Sequence, residues 1–211
     1  MDGFFAVLIE QWRSQSYYEL AAVVLSIAYV WLAAHGSIWC WPAALISTAL
    51  FAFVFWDVSL IFQILLNIYY FGMAIVGFIY WKNSSDEGFV TYRMSAQNHA
   101  LYLVSGVVLV ALVVYLTLMM AQQWFSYELL YLDAGIAMFS LLTTYLTVRK
   151  YLEAWIYWSI INALSIYLFW HNQLYLSALL MLIYIAIAVK GYINWKQSVA
   201  PREALLSSAK A

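Results

Sequence analysis

Polar residues interrupt this chain only about every twenty positions, and that spacing constrains its fold more than any other feature. The apolar runs cover approximately 17–36, 38–56, 58–81, 98–121, 127–148, 151–170 and 173–196. Each is about as long as a helix that crosses the hydrocarbon core of a bilayer. The joints are His35-Gly36, Trp56-Asp57, the polar loop from Asn83 to Asn98, Gln122-Gln123, Arg149-Lys150 and His171-Asn172. Only 9% of the residues are charged, against about 25% in soluble domains, so the chain cannot cover a water-facing surface. Backbone groups in lipid must be paired within helices or a closed barrel, and the runs lack the alternation of barrel strands. The expected fold is an all-α integral membrane protein with seven transmembrane helices.

The flanks read differently. Residues 1–16 are too short to span and lack the basic start of a signal peptide. Phe4, Phe5, Leu8, Ile9 and Trp12 share one helical stripe, which predicts a helix lying at the outer interface. Residues 197–211 hold Pro201 among polar residues and read as a loose cytoplasmic tail. With the N-terminus outside, eight of the nine basic residues fall on the inner side, Arg13 being the exception. The positive-inside rule therefore predicts N-out and C-in. Cys40 is alone, and His35, His99 and His171 lie at separate helix ends, so neither an internal disulfide nor a bound metal is expected.

The chain also repeats itself. Gly77 to Ser84 (GFIYWKNS) returns as Gly191 to Ser198 (GYINWKQS), 114 residues later. At that offset Glu19 meets Asp133, Ser26 meets Ser140, Trp41 meets Trp155, Tyr70 meets Tyr184 and Trp81-Lys82 meets Trp195-Lys196. Leucine matches are cheap in a membrane sequence; aligned tryptophans, acids and serines are not. The units are a first three-helix repeat over 17–84, a linker helix over 98–121 and a second repeat over 127–196. A single linker helix leaves both repeats pointing the same way, and this three-one-three plan resembles that of the SWEET sugar transporters. In parallel-repeat transporters the substrate site lies near mid-membrane between the halves.

Polar residues inside spans are costly and tend to face a bundle interior or a cavity. Gln63, Asn67 and Tyr70 share a face of the third span; Trp158, Asn162 and Ser165 do so on the sixth, with Trp155 one turn away. Asp133, Ser140 and Thr144 line up on the fifth span, and Glu19 with Ser26 on the first. Each has a structural alternative. Gln63 and Asn67 serve equally well as interhelical glue; Ser26, Ser140 and Thr144 can bond back to their own helix; Glu19, three residues after Ser16, fits a helix-start box. Asp133 is placed nearly two turns into its helix, too deep for a cap. Trp81 and Trp195, each followed by Lys, read as interfacial anchors. Flat rings beside amides suit a flat heteroaromatic ligand, and few deep basic residues predict a neutral or cationic one.

The stretch from Asp133 to Trp195 resembles the Pnu vitamin transporters. The matching residues are Asp133, Tyr145-Leu146, Arg149-Lys150, Glu153, Trp155, Trp158, Asn162, Leu174-Tyr175, Tyr184, Gly191-Tyr192 and Trp195. Glu19, Trp41-Pro42, Tyr70, Gly77 and Trp81 extend the likeness to the first repeat. The resemblance implies facilitated diffusion of an unphosphorylated vitamin, trapped by cytoplasmic kinases, across a bacterial inner membrane. It implies ligand contact by Trp155, Trp158 and Asn162 together with the third span. The expected substrate-binding set is Trp41, Gln63, Asn67, Tyr70, Asp133, Ser140, Thr144, Trp155, Trp158 and Asn162. Asn67 and Thr144 stand where the nicotinamide riboside pattern has glutamines, so thiamine is the expected substrate and nicotinamide riboside the alternative. No nucleophile–base pair or phosphate loop marks an enzyme, and no cofactor is expected. The expected partners are the vitamin and the lipid bilayer, without nucleic acid; a homo-oligomer is compatible with the sequence.

Overall fold

The computed structural model describes residues 2–57, 61–84, 88–120 and 129–199. Its helices are α1 (Asp2–Ser14), α2 (Tyr17–Ala34), α3 (Cys40–Asp57), α4 (Ile61–Asn83), α5 (Ala96–Met120), α6 (Leu130–Val148), α7 (Ala154–His171) and α8 (Tyr175–Lys196). The chain is an all-α membrane protein. By length and composition α2, α6, α8 and residues 96–119 of α5 can cross a bilayer, and Cys40–Val54 of α3 is a shorter apolar helix. In α7 the residues that lower the hydropathy are Trp, Tyr and Asn, several of which face inward.

Local chemistry sets the helix ends. Ser16 caps α2, its hydroxyl accepting from the Glu19 amide at 3.1 Å, as the Ser-Glu spacing predicts. Pro42 falls in the first turn of α3, where its missing N–H costs no helical bond. Helix α2 stops at Gly36, whose φ of 67° suits a residue without Cβ. There the Gly36 and Ser37 amides return to the Ala33 and Leu32 carbonyls, a Schellman stop. The end of α6, 114 residues on, repeats it: Lys150 takes φ 58°, and the Lys150 and Tyr151 amides return to Thr147 and Leu146.

Helices α2, α3 and α4 pack in sequence, as do α6, α7 and α8; α2 meets α8, α4 meets α6, and α5 lies along α6. Helix α1 packs on α8, where Gln11 donates to the Gln173 carbonyl at 2.6 Å and accepts from the Leu176 amide at 3.3 Å. Ile9 and Trp12 remain exposed.

At one end of the bundle four tryptophans are sealed together. Trp41 meets Trp81 edge-on at 5.2 Å, Trp155 meets Trp195 at 5.3 Å, and Trp81 lies 5.9 Å from Trp195. Trp81 and Trp195 are buried, which corrects the expectation that they anchor the interface. Their N–H groups donate to carbonyls at helix ends in the other triad: Trp81 to Val148 at 3.0 Å and Trp195 to Ala33 at 2.9 Å. Buried carbonyls need donors, and this outweighs the usual affinity of indole for the membrane interface. Trp41 lies against Gly77 and Trp155 against Gly191, positions where a Cβ would come within 2.5 and 2.6 Å of the rings.

The α4–α5 loop closes over this cluster. Phe89 packs between Trp81 and Trp195, at 5.0 and 5.2 Å. Thr91 donates through its amide to Ser198 and through its hydroxyl to Trp195, while Tyr92 pairs with Lys150 and Leu152. The buried Lys150 ammonium donates to Ser84 at 2.6 Å and sits over the Trp81 and Phe89 rings.

Two outcomes follow from this packing. Gly191→Ala pushes a methyl into the wedged Trp155 ring and should cost roughly 1–3 kcal/mol of stability. Thermal unfolding in detergent reads this, with Gly72→Ala as the neutral control because nothing lies within 4 Å there. Desolvation lowers the Lys150 pKa from its usual 10.5. The folded state then binds fewer protons than the unfolded state between the two pKa values. Stability should rise as pH climbs through that window toward 10.5, and Lys150→Met should flatten the rise.

Candidate functional site

Between the triads lies a cavity of about 420 Å³, walled by α2, α3, α4, α6, α7 and α8. Small-molecule pockets run from about 300 to 1,000 Å³, so it can hold a two-ring or ring-plus-sugar compound. The tryptophan cluster closes one end with Trp41 and Trp155, and the wall runs along α6 from Thr147 to Asp133.

Nine of the ten expected residues share this wall: Trp41 from α3, Asn67 and Tyr70 from α4, Asp133, Ser140 and Thr144 from α6, and Trp155, Trp158 and Asn162 from α7. The side chain of Gln63 lies outside the described residues. Asp133 differs from expectation in one respect. Helix α6 begins at Leu130, so this carboxylate sits in the first turn rather than two turns deep, and it is exposed. There the positive end of the helix dipole favours its charge.

The hydroxyls on the wall are partly spent on their own helices. Ser26 donates to Val23 at 2.7 Å, Ser140 to Ile136 at 2.6 Å and Thr144 to Ser140 at 2.8 Å, so back-bonding and cavity lining coexist. Ser26 also pairs with Tyr184 at 2.6 Å, tying the first triad to the second. Tyr70 is directed to Ser140 in the equivalent position.

The Trp158 indole N–H donates to Thr147 at 3.0 Å. That bond fixes the ring and occupies its N–H, so only the ring face is left for stacking. Asn162, one turn along α7, is buried and makes no side-chain hydrogen bond among the described residues. A flat ring on Trp158 and an amide within one helical turn can stack and orient a heteroaromatic group. The wall contains no Lys, Arg or His among the described residues, and Asp133 is its one carboxylate.

Sequence reasoning passed over Tyr29, Ser47, Thr48, Thr147 and Tyr184, all of which line the cavity. Tyr184 carried a signal, since it is the repeat partner of Tyr70. Thr147 carried none, because its task is to hold Trp158 and that pairing joins two helices.

A chamber of this size inside a bundle of apolar helices marks a polytopic membrane protein with an internal cavity large enough for a small molecule. The chain belongs to the nicotinamide mononucleotide transporter family, whose model matches residues 16–197. This bears out the resemblance to the Pnu-type transporters. A nicotinamide riboside transporter, PnuC, of Neisseria mucosa is 29% identical over 188 residues, covering 84% of this chain and 71% of that protein. The protein of the same description from Escherichia coli K12 is 25% identical over 210 residues, covering 89% and 88%. The fold matches the crystal structure of a vitamin B3 transporter PnuC with a TM-score of 0.70, at 24% identity over 90% of this chain and 85% of that one.

Removing the acceptor that holds Trp158 tests the wall directly. Thr147→Val keeps the shape and leaves the indole N–H without its partner, at a cost of about 1–3 kcal/mol. A fall in the thermal midpoint of the ligand-free protein reads it.

Proposed function

We propose that the chain carries nicotinamide riboside across the bacterial cytoplasmic membrane by facilitated diffusion. The observation that carries this reading is a wall with the pinned Trp158 face, the Asn162 and Asn67 amides, and no basic side chain among the described residues. Family membership and relatives described as nicotinamide riboside transporters support it. They favour the alternative over thiamine, whose case rested on Asn67 and Thr144 in place of glutamines. The family's description names the mononucleotide, but a phosphate would find no cationic partner among the described residues of this wall.

In this reading seven helices, α2 to α8, span the bilayer in a parallel three-one-three arrangement, with repeats over 17–84 and 127–196 and a linker over 98–121. Contacts recurring at the 114-residue offset support it: Trp41 on Gly77 with Trp155 on Gly191, and Gly36 with Lys150 at the helix stops. The N-terminus lies outside and α1 rests on the outer surface. The tryptophan-sealed end faces the cytoplasm, where kinases trap the substrate. Asp133 at the rim attracts the pyridinium cation, and transport is uncoupled from protons.

Flux into liposomes holding the purified protein tests the reading. Labelled nicotinamide riboside should equilibrate down its gradient whether or not a pH gradient is imposed, and thiamine should not. Asn162→Ala and Trp158→Ala should each weaken binding by roughly 1–3 kcal/mol. Movement of thiamine without nicotinamide riboside would reverse the assignment.

A further inference from the structure

The cavity wall keeps the repeat at some positions and breaks it at others. At the 114-residue offset Ser26 pairs with Ser140, Trp41 with Trp155, Tyr70 with Tyr184 and Ala74 with Ala188, all of them on the wall. One break has Trp158 and Thr147 of the second triad correspond to Ala44 and Ala33 of the first. An indole and the hydroxyl that holds it are replaced by two methyl groups.

The first triad puts Tyr29 near that place instead. Its ring lies 6.0 Å from that of Trp41, and it lines the cavity. Its repeat partner, Thr143, is bonded to Tyr102 on α5 at 2.8 Å and takes no part in the wall. The Tyr29 hydroxyl lies within electrostatic reach of Tyr70 and Tyr184, yet those two are engaged with Ser140 and Ser26. Tyr29 makes no hydrogen bond among the described residues. The Trp41 N–H, on a side chain only 2% exposed, has no partner either. Trp155 carries the same unpaired N–H on the other side, below Trp158.

A hydroxyl that lines a cavity without a protein partner is open to the hydrogen-bonding groups of a ligand. On the first side a ligand group must fit beside two alanines and meet the Tyr29 phenol, which both donates and accepts. Aromatic stacking is offered by the opposite side. We propose that the Tyr29 hydroxyl, with Trp41, Ala33 and Ala44 as walls, forms a hydroxyl-recognising subsite that takes the sugar of the substrate while the ring lies on Trp158. The assignment rests on the nicotinamide riboside reading and makes Tyr29 a specificity-determining residue: a ligand keeping the cationic ring but lacking the sugar ignores it.

Two probes and one mild variant test this. Nicotinamide riboside is titrated into the purified full chain, and 1-methylnicotinamide, which has the ring cation and no sugar, competes for the site. Tyr29→Phe should weaken nicotinamide riboside about tenfold, as the loss of one buried hydrogen bond does, and leave 1-methylnicotinamide unchanged. Ala44→Trp, which restores the missing indole, should abolish riboside binding while 1-methylnicotinamide still binds. Equal losses for both probes in Tyr29→Phe, or no loss for either, would overturn the subsite while leaving the transport reading intact. Failure of the unmutated protein to bind nicotinamide riboside would overturn that reading, and the subsite with it.

Discussion

Two hydrogen bonds at one end of the bundle, Trp81 to Val148 and Trp195 to Ala33, hold the two triads in register. A helix end leaves carbonyls without intrahelical partners, and a buried end has no water to satisfy them. Each triad supplies the indole that completes the other, so neither end is satisfied alone. The same rings form a ledge on which Trp41 and Trp155 lie edge-on, flattened against Gly77 and Gly191. Sealing the bundle and building the cavity floor are therefore one interaction. Any opening at this end must break both N–H···O bonds and lift Phe89 from between the rings.

A symmetric chamber cannot orient an asymmetric molecule. The reciprocal pairs, such as Ser26 with Tyr184, supply a scaffold in which either triad could serve either part of a ligand. Direction comes from the mismatches. Trp158 with Thr147 has Ala44 with Ala33 as repeat counterparts, Asn162 has Thr48, and Asn67 has Met181. Aromatic surface and a free amide collect on α7, while the Tyr29 phenol stands on α2. Pinning Trp158 through Thr147 adds precision, because a side chain locked before binding loses little entropy on meeting its ligand.

Much of this was legible in the residues. The spans, the Ser16 cap, the Gly36 stop and the Trp and Asn stripes follow from local rules of length, dihedral angle and helical period. What escaped depends on partners far away in the chain. Trp81 and Trp195 followed by Lys look like anchors until the carbonyls of Val148 and Ala33 are in view, 67 and 162 residues distant. Phe89 and Thr91 look like loop residues, since their contacts with α8 lie more than a hundred positions away. Asp133 was placed too deep because nothing in the residues before Leu130 marks a helix start. Tyr29 was overlooked because tyrosines are common in this chain, and only comparison with Thr143 shows that one of them is out of pattern.

In the proposed reading, the charge of the wall links binding to the direction of net flow. A carrier coupled to no ion only equalises concentrations, so accumulation must come from converting the substrate into something the cavity rejects. Phosphorylation does this on purely electrostatic grounds. It adds nearly two negative charges to a molecule whose site offers Asp133 and no cation among the described residues. The unmodified cation gains from the opposite features, the carboxylate at the rim and an indole face worth about 2 kcal/mol to a desolvated charge. In that reading one wall admits the riboside and disfavours the mononucleotide without a moving selectivity element, and the cytoplasmic kinase reaction makes net transport run inward.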